Sequence, residues 1–255
     1  MKTHLQEAKA LGRIVELVRE LREKCPWDAK QTPATLRPYL VEEALELDHA
    51  ISQDDSESIR VELGDLMLHI AYQIVLAEER GDFGAEDVTK TIEQKMKRRH
   101  PHIYGDEAAP ASWERQKMKE TDRDSSVLDG LPPTLPPILM ACRLQERAAG
   151  MGFDWPDGSG PRQKLNEELA ELDDAILAED RDHVASELGD VLFSVINLVR
   201  KLDYDPREIL EKANSKFADR FRRLEKRALE KGIDVGRADL DTLEEIWSEV
   251  KADQG

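Results

Sequence analysis

Residues 42–51 read EEALELDHAI, and residues 167–176 read EELAELDDAI. Each stretch is followed by a second shared one, VELGDLML at 61–68 and SELGDVLF at 186–193. A constant offset of 125 residues superimposes the two copies without a gap. Both preserve an E-x-x-E pair followed by an E-x-x-D pair. The repeated residues are Glu43, Glu46, Glu62 and Asp65 in the first copy, and Glu168, Glu171, Glu187 and Asp190 in the second.

The spacing of these carboxylates predicts a helical hairpin in each copy. Residues three apart lie on one helix face, with Cβ atoms roughly 5–6 Å apart. The polar stretches SQDDSE at 52–57 and AEDRDH at 178–183 are typical of turns. Antiparallel helices around such turns bring the two acidic pairs to similar heights, so each copy can gather four carboxylates.

Helical periodicity extends through the rest of the chain, and no segment alternates polar and apolar residues as a strand does. The fold class is therefore predicted as all-α, a tandem repeat of two helical bundles. Four prolines between residues 132 and 137 mark the strongest break. We expect an N-terminal domain over 1–125 and a C-terminal domain over 126–255. Predicted helices cover 4–24, 33–51, 57–79, 85–99 and 113–120, then 138–149, 161–178, a segment ending at 201, 206–231 and 241–250.

Composition limits the classes of partner. The net charge of −17 argues against nucleic acid and anionic membranes as partners. Cys25 and Cys142 are too few for a disulfide framework, which favours a reducing compartment. No apolar run has the length of a membrane span. We expect a soluble, cytoplasmic protein.

Four converging carboxylates repel one another unless a cation lies between them. Oxygen ligands without cysteine or histidine favour Mg²⁺, with Mn²⁺ as a second possibility. Di-iron bundles use Glu-x-x-His pairs, whereas Asp65 and Asp190 occupy those positions here. The alternative is a pair of solvated acidic helix faces. The mid-helix Gly64 and Gly189 favour close approach of a ligand or another helix, because such a glycine costs about 1 kcal/mol relative to alanine.

A basic pair follows each acidic hairpin. Lys95 and Arg99 in the first copy correspond in pattern to Lys216 and Arg220 in the second. An i, i+4 pair projects two cations from one helix face, which suits a polyphosphate next to a bound Mg²⁺. A basic surface cluster is the alternative for each pair.

The sequence resembles the MazG family over nearly its whole length. The residues that carry the resemblance are CPWD at 25–28, YLVEEALE at 39–46, VELGDLML at 61–68, RRHPHIYGD at 98–106, GFDW at 152–155, EELAEL at 167–172, SELGDVLF at 186–193, NSKFADRFRRLE at 214–225 and LEEIWSEVK at 243–251.

The resemblance implies a nucleoside triphosphate pyrophosphohydrolase. Such enzymes convert NTPs or dNTPs to the monophosphate and diphosphate with Mg²⁺, in an all-α bundle that forms a homodimer. By the resemblance, Lys216 and Arg220 contact phosphates, and Trp247 and Lys251 lie near the nucleotide. The acidic quartets are the metal ligands in both copies, and the second copy is expected to carry most of the activity.

The remaining roles have open alternatives. Glu167, and Glu42 in the first copy, are candidates to take a proton from the attacking water, or are simply exposed helix residues. Trp155 and Trp247, and Trp27 in the first copy, are candidate platforms for the base, or core residues. A nucleotide-sensing or partner-binding regulatory protein with little catalysis is the rival function.

Overall fold

A computed structural model describes residues 4–105 and 126–253, with side chains from residue 12 onward. The chain forms two compact units that divide between Pro110 and Ala111, outside the described residues. The predicted domain boundary after residue 125 therefore stays a prediction. The predicted helix over 113–120 also lies outside the described residues.

The first unit is built on a helical hairpin with a third helix packed against it. The helices are α1 (His4–Lys24), a short 3-10 helix (Asp28–Lys30), α2 (Pro33–Ser52), α3 (Ser56–Arg80), α4 (Ala85–Arg99) and α5 (Pro101–Tyr104). The hairpin is α2 and α3, and α1 packs on α3. Val18 of α1, Leu36 of α2, and Tyr72 and Val75 of α3 form the buried core of this unit.

The second unit repeats this order. Its helices are α6 (Pro137–Gly150), α7 (Ser159–Leu177), α8 (Arg181–Lys201), α9 (Pro206–Glu230) and α10 (Leu240–Ala252). The hairpin is α7 and α8, α6 packs on α8, and α9 contacts α6, α8 and α10. Leu224, Ala228 and Ile246 form a buried cluster between α9 and α10.

The described residues confirm the all-α fold class, because they include no β-strand. Among the same residues, no helix combines the length and the apolar character that crossing a membrane requires. Cys25 and Cys142 are both free thiols.

The turns of the two hairpins have the same backbone conformation and the same helix cap at equivalent repeat positions. Asp54 and Glu179 occupy the same repeat position with φ values of 54° and 55°. The next residue caps the second helix in both units: the Asp55 side chain accepts hydrogen bonds from the N–H groups of Glu57 and Ser58, and Asp180 accepts one from His183. Such caps stabilise the first turn of a helix. The two hairpins therefore enter their second helices in the same register.

Two local predictions differ from the structure. Pro101 lies between the helices predicted over 85–99 and 113–120, where no helix is predicted, but it begins the four-residue helix α5, because its ring fixes φ near the helical value. The helix predicted from Pro161 begins two residues earlier, at Ser159, so the buried Pro161 lies within its first turn.

Candidate metal centre

Three carboxylates converge in the first hairpin. Glu43 of α2 and Glu62 and Asp65 of α3 each present an oxygen within 4.8 Å of the others, and we call them the first cluster. Burial raises the pKa of Glu43, and repulsion from Asp65 adds to this. Burial also raises the pKa of Glu62, with repulsion from Glu46 next in size. The site is therefore short of positive charge.

A matching set lies in the second hairpin. Glu168 and Glu171 of α7 and Glu187 of α8 present oxygens within 4.8 Å of one another, and we call them the second cluster. Glu168 and Glu187 are buried, whereas the surface of Glu171 as a whole is exposed to solvent. Desolvation of its carboxyl raises the pKa of Glu171, an effect that Lys164 opposes and Glu168 reinforces.

The fourth member of each predicted quartet lies at the edge of its cluster. Glu46 repels both Glu43 and Glu62, although it is outside the group of three. Asp190 is exposed and outside the second group. Equivalent repeat positions therefore differ between the units. Glu171 belongs to the second cluster whereas its equivalent Glu46 is outside the first, and Asp65 belongs to the first cluster whereas its equivalent Asp190 is outside the second. Convergence of three carboxylates in each hairpin supports the predicted quartets, and full four-fold ligation stays a prediction.

Basic side chains beside the clusters were missed by the sequence reasoning. Lys164 Nζ lies 2.8 Å from Glu168 Oε1, and His183 Nε2 lies 3.0 Å from Glu187 Oε1. Both pairs are i, i+4, so helix spacing alone would have found them. His69 Nε2 lies 3.7 Å from Glu43 Oε1, across the hairpin. That contact required the tertiary structure.

The two candidate proton acceptors have different surroundings. Glu167 forms an ion pair with Lys164 at 2.6 Å and keeps half of its side chain exposed. Glu42 is exposed and lines an open cleft of about 660 Å³ beside the first cluster. Val41, Leu45 and Glu46 also line this cleft, so an apolar wall adjoins the carboxylates.

The predicted phosphate-binding residues lie on the helices that follow the hairpins. Lys95 and Arg99 are on α4, and Lys216 and Arg220 are on α9. Lys216 is exposed, and within the described residues it forms no ion pair with the second cluster. Its contact with a phosphate stays a prediction.

The predicted aromatic platforms have structural contacts of their own. Trp247 packs on Phe217 with ring centroids 5.4 Å apart and borders the α9–α10 core. Lys251, four residues later on α10, is exposed. Trp155 lies against the backbone of Gly160, with 38% of its surface exposed. Trp27 is 57% exposed. The exposed faces leave Trp155 and Trp27 open to a ligand.

The donors in both clusters fit a hard divalent cation. All are carboxylate oxygens, the ligand type that Mg²⁺ and Mn²⁺ prefer. Burial, reinforced by repulsion between neighbouring carboxylates, raises the pKa of Glu43, Glu62 and Glu171, and a cation between the oxygens would relieve both penalties. The chemistry of the residues therefore agrees with the predicted metal site.

Comparison with known proteins places this geometry in a family. The model of the MazG nucleotide pyrophosphohydrolase domain matches residues 31–104 and 161–224, so each match contains one hairpin. The chain is 39% identical over 243 residues to the nucleoside triphosphate pyrophosphohydrolase/pyrophosphatase MazG of Thermotoga maritima, covering 93% of this chain and 94% of the relative. It is 36% identical over 254 residues to the nucleoside triphosphate pyrophosphohydrolase of Escherichia coli, covering 94% and 97%. A Bacillus subtilis protein, uncharacterized protein YabN, is 37% identical over 92% of this chain and 50% of its own length.

Proposed function

The chain belongs to the MazG nucleotide pyrophosphohydrolase family, and from that premise we propose that it hydrolyses nucleoside triphosphates at its carboxylate clusters with the help of Mg²⁺. The products are the nucleoside monophosphate and diphosphate. The enzymatic class follows from the family and from the two relatives that align along almost their whole length.

One observation carries the proposed site. In each hairpin, three carboxylates from two helices present oxygens within 4.8 Å of one another. A purely structural helical bundle would gain no stability from this arrangement, because each carboxylate oxygen repels its neighbours and two of the glutamates in the second cluster are buried. We assign Glu168, Glu171, Glu187 and Asp190 as ligands in the second unit. The corresponding ligands of the first unit are Glu43, Glu46, Glu62 and Asp65.

In the second unit, each of the predicted site residues has a separate role in the proposed hydrolysis. Mg²⁺ supplies polarisation of phosphoryl oxygens and a lowered pKa of bound water when it is present. Glu167 accepts the proton of the water that adds across the phosphoanhydride bond between the α- and β-phosphates, and this bond breaks to give the monophosphate and diphosphate. Lys216 and Arg220 offset the negative charge of the phosphates. Trp155, Trp247 and Lys251 contact the nucleoside.

We assign the main activity to the second unit and propose a homodimer. Leu192 and Phe193 of α8, with Ile209 and Leu210 of α9, are exposed around an apolar groove of about 500 Å³. A second copy would bury these side chains, which favours association. A cytoplasmic location, and nucleotides as partners without nucleic acid, complete the proposal.

Diphosphate release from a panel of NTPs and dNTPs with Mg²⁺ tests the proposal. We expect Glu171→Gln and Glu187→Gln to lower kcat at least about 100-fold, and Glu46→Gln and Glu62→Gln to have smaller effects. The exposed Asp173→Asn, on the same helix as Glu171, is the matched control and should retain activity. Equal loss from both sets of variants would contradict the assignment to the second unit.

The rival function is a nucleotide-sensing or partner-binding protein with little catalysis. It predicts nucleotide binding without diphosphate release in every member of the panel. That result would overturn the hydrolytic proposal.

A further inference from the structure

Lys164 distinguishes the two carboxylate clusters. Its Nζ lies 2.8 Å from Oε1 of the buried Glu168 and 2.6 Å from Oε1 of Glu167. The position 125 residues earlier holds Tyr39, whose ring stacks on His69 with centroids 6.1 Å apart. The second cluster therefore has a lysine ammonium in contact with one of its members, whereas the first has a phenol ring at that position.

The histidines do not account for this difference. The first cluster has His69 Nε2 at 3.7 Å from Glu43 Oε1, and the second has His183 Nε2 at 3.0 Å from Glu187 Oε1. Each cluster thus has one imidazole beside one glutamate. Among the described side chains beside the clusters, residues 39 and 164 therefore supply one clear difference in local charge.

The contact with Glu168 places the ammonium where it competes with a metal ion. Glu168 keeps only 8% of its side chain exposed, so its carboxylate has little access to water and depends on Lys164 for a counter-charge. A metal bound to the same oxygens would lie next to the ammonium unless Lys164 moved. Two cations that close repel each other strongly in a partly buried site.

Glu167 gives the displaced ammonium a second partner. Its carboxylate already binds Lys164 at 2.6 Å, one helix position before Glu168, and its side chain is 53% exposed. Lysine has three donors on a flexible stem, so one ammonium can hold both glutamates and then keep only one. Loss of the Glu168 contact leaves the Glu167 contact in place.

We propose that Lys164 is a resident counter-ion of the second cluster, which a divalent cation must displace from Glu168 before it binds there. Without nucleotide, the metal should therefore bind the first cluster more tightly than the second. This inference rests on the metal sites of the proposed function and adds an asymmetry between them. It makes Lys164 a positioning residue for Glu168.

Titration of the full-length protein with Mn²⁺ alone, followed by the EPR signal of the free ion, tests the proposal. Glu62→Gln disables the first cluster and isolates the second. In that background we expect Lys164→Met to tighten Mn²⁺ binding about tenfold, because the competing charge is gone, whereas Lys164→Arg should not tighten it. Glu167→Gln should weaken binding, because the ammonium then depends on Glu168.

The reciprocal change uses the first cluster, isolated by Glu187→Gln. Tyr39→Lys should weaken Mn²⁺ binding there, with Tyr39→Phe as the matched control. Circular dichroism tests whether each variant is folded; Tyr39 is 44% exposed, and Lys164 is half-buried with 38% of its side chain exposed. Unchanged or weaker binding by Lys164→Met would overturn the inference while leaving the metal sites intact. Failure of every variant and of the parent protein to bind Mn²⁺ would overturn the metal sites and this inference together.

Discussion

Arg200, near the end of α8, forms an ion pair with Asp154 in the loop before α7, and its Nη2 lies 2.8 Å from Asp154 Oδ1. Lys201 Nζ lies 3.0 Å from Asp154 Oδ2. The hydrogen bond from Arg200 is the main cause that lowers the pKa of Asp154 to about 2, and Lys201 adds to it. Asp154 precedes Trp155, so this pair fixes the loop that carries a predicted nucleoside contact.

Asp154→Asn should destabilise the protein by about 1 kcal/mol at pH 7, after allowance for solvent screening. A carboxyl whose pKa is lowered by folding contributes stability above its unfolded value near 4 and loses it as the pH falls towards 2. The difference between the parent and Asp154→Asn should therefore shrink between pH 4 and pH 2 in urea unfolding. Asp173→Asn, at an exposed helix position, is the control. A difference that persists at pH 2 would contradict the ion-pair explanation.

Tyr72→Phe should destabilise the protein by about 1–2 kcal/mol, because the buried Asp28 carboxylate loses one of its hydrogen-bond donors, although it keeps the Cys25 thiol. The Tyr72 hydroxyl donates a hydrogen bond to Asp28 Oδ1, and both residues are buried in the first unit. Tyr39→Phe, at a residue 44% exposed, should change stability by less than about 0.5 kcal/mol. Urea unfolding followed by circular dichroism measures both. Equal effects would mean that the buried hydrogen bond adds nothing.

Gly160→Ala should displace Trp155. A Cβ at Gly160 would lie 1.9 Å from Cδ1 of the indole, so the ring must move, at a cost of about 1–3 kcal/mol. The displacement should shift the tryptophan emission maximum and lower Tm. If emission and Tm both stay at the parent values, the indole does not pack on this glycine.

Gly189→Ala tests what occupies the open face of α8. A Cβ there meets nothing within 4 Å in the described chain, and alanine is favoured in a helix by up to about 1 kcal/mol. Tm should therefore rise if the face stays open in solution. If a second copy or a ligand packs against Gly189, the variant should instead lose the dimer or weaken nucleotide binding. Sedimentation and a nucleotide titration separate these two cases.

Glu43→Gln should raise Tm in the absence of metal. Burial and the neighbouring carboxylates raise the pKa of Glu43, so its charged form destabilises the folded state at pH 7. The parent should gain stability on addition of Mg²⁺, by about 2.7 kcal/mol at 100 times Kd, and the variant should gain less. Differential scanning calorimetry with and without Mg²⁺ measures both effects. Equal stabilisation of parent and variant by Mg²⁺ would exclude Glu43 as a ligand.

The fold class, the helix bounds to within a few residues and the pairing of two helices within each hairpin could all be predicted from the sequence. This was possible because these features are local and repeated: helical periodicity, polar turn sequences at 52–57 and 178–183, and an unbroken offset of 125 residues. The sequence also predicted which carboxylates share a helix face, since E-x-x-E and E-x-x-D spacing aligns side chains in this way; their role as ligands stays a prediction.

The set of carboxylates that meet, and the basic side chains beside them, became visible in the folded chain. Helix spacing places Glu62 and Asp65 on one face, but the crossing of α2 over α3 brings Glu43 to them and leaves Glu46 at the edge. The same spacing does not show that Glu168 is buried with Lys164 as its partner. Distances across a hairpin depend on interhelical packing and side-chain rotamers, which a repeat in sequence does not specify. Two copies that match in their acidic residues therefore differ in the charge around them.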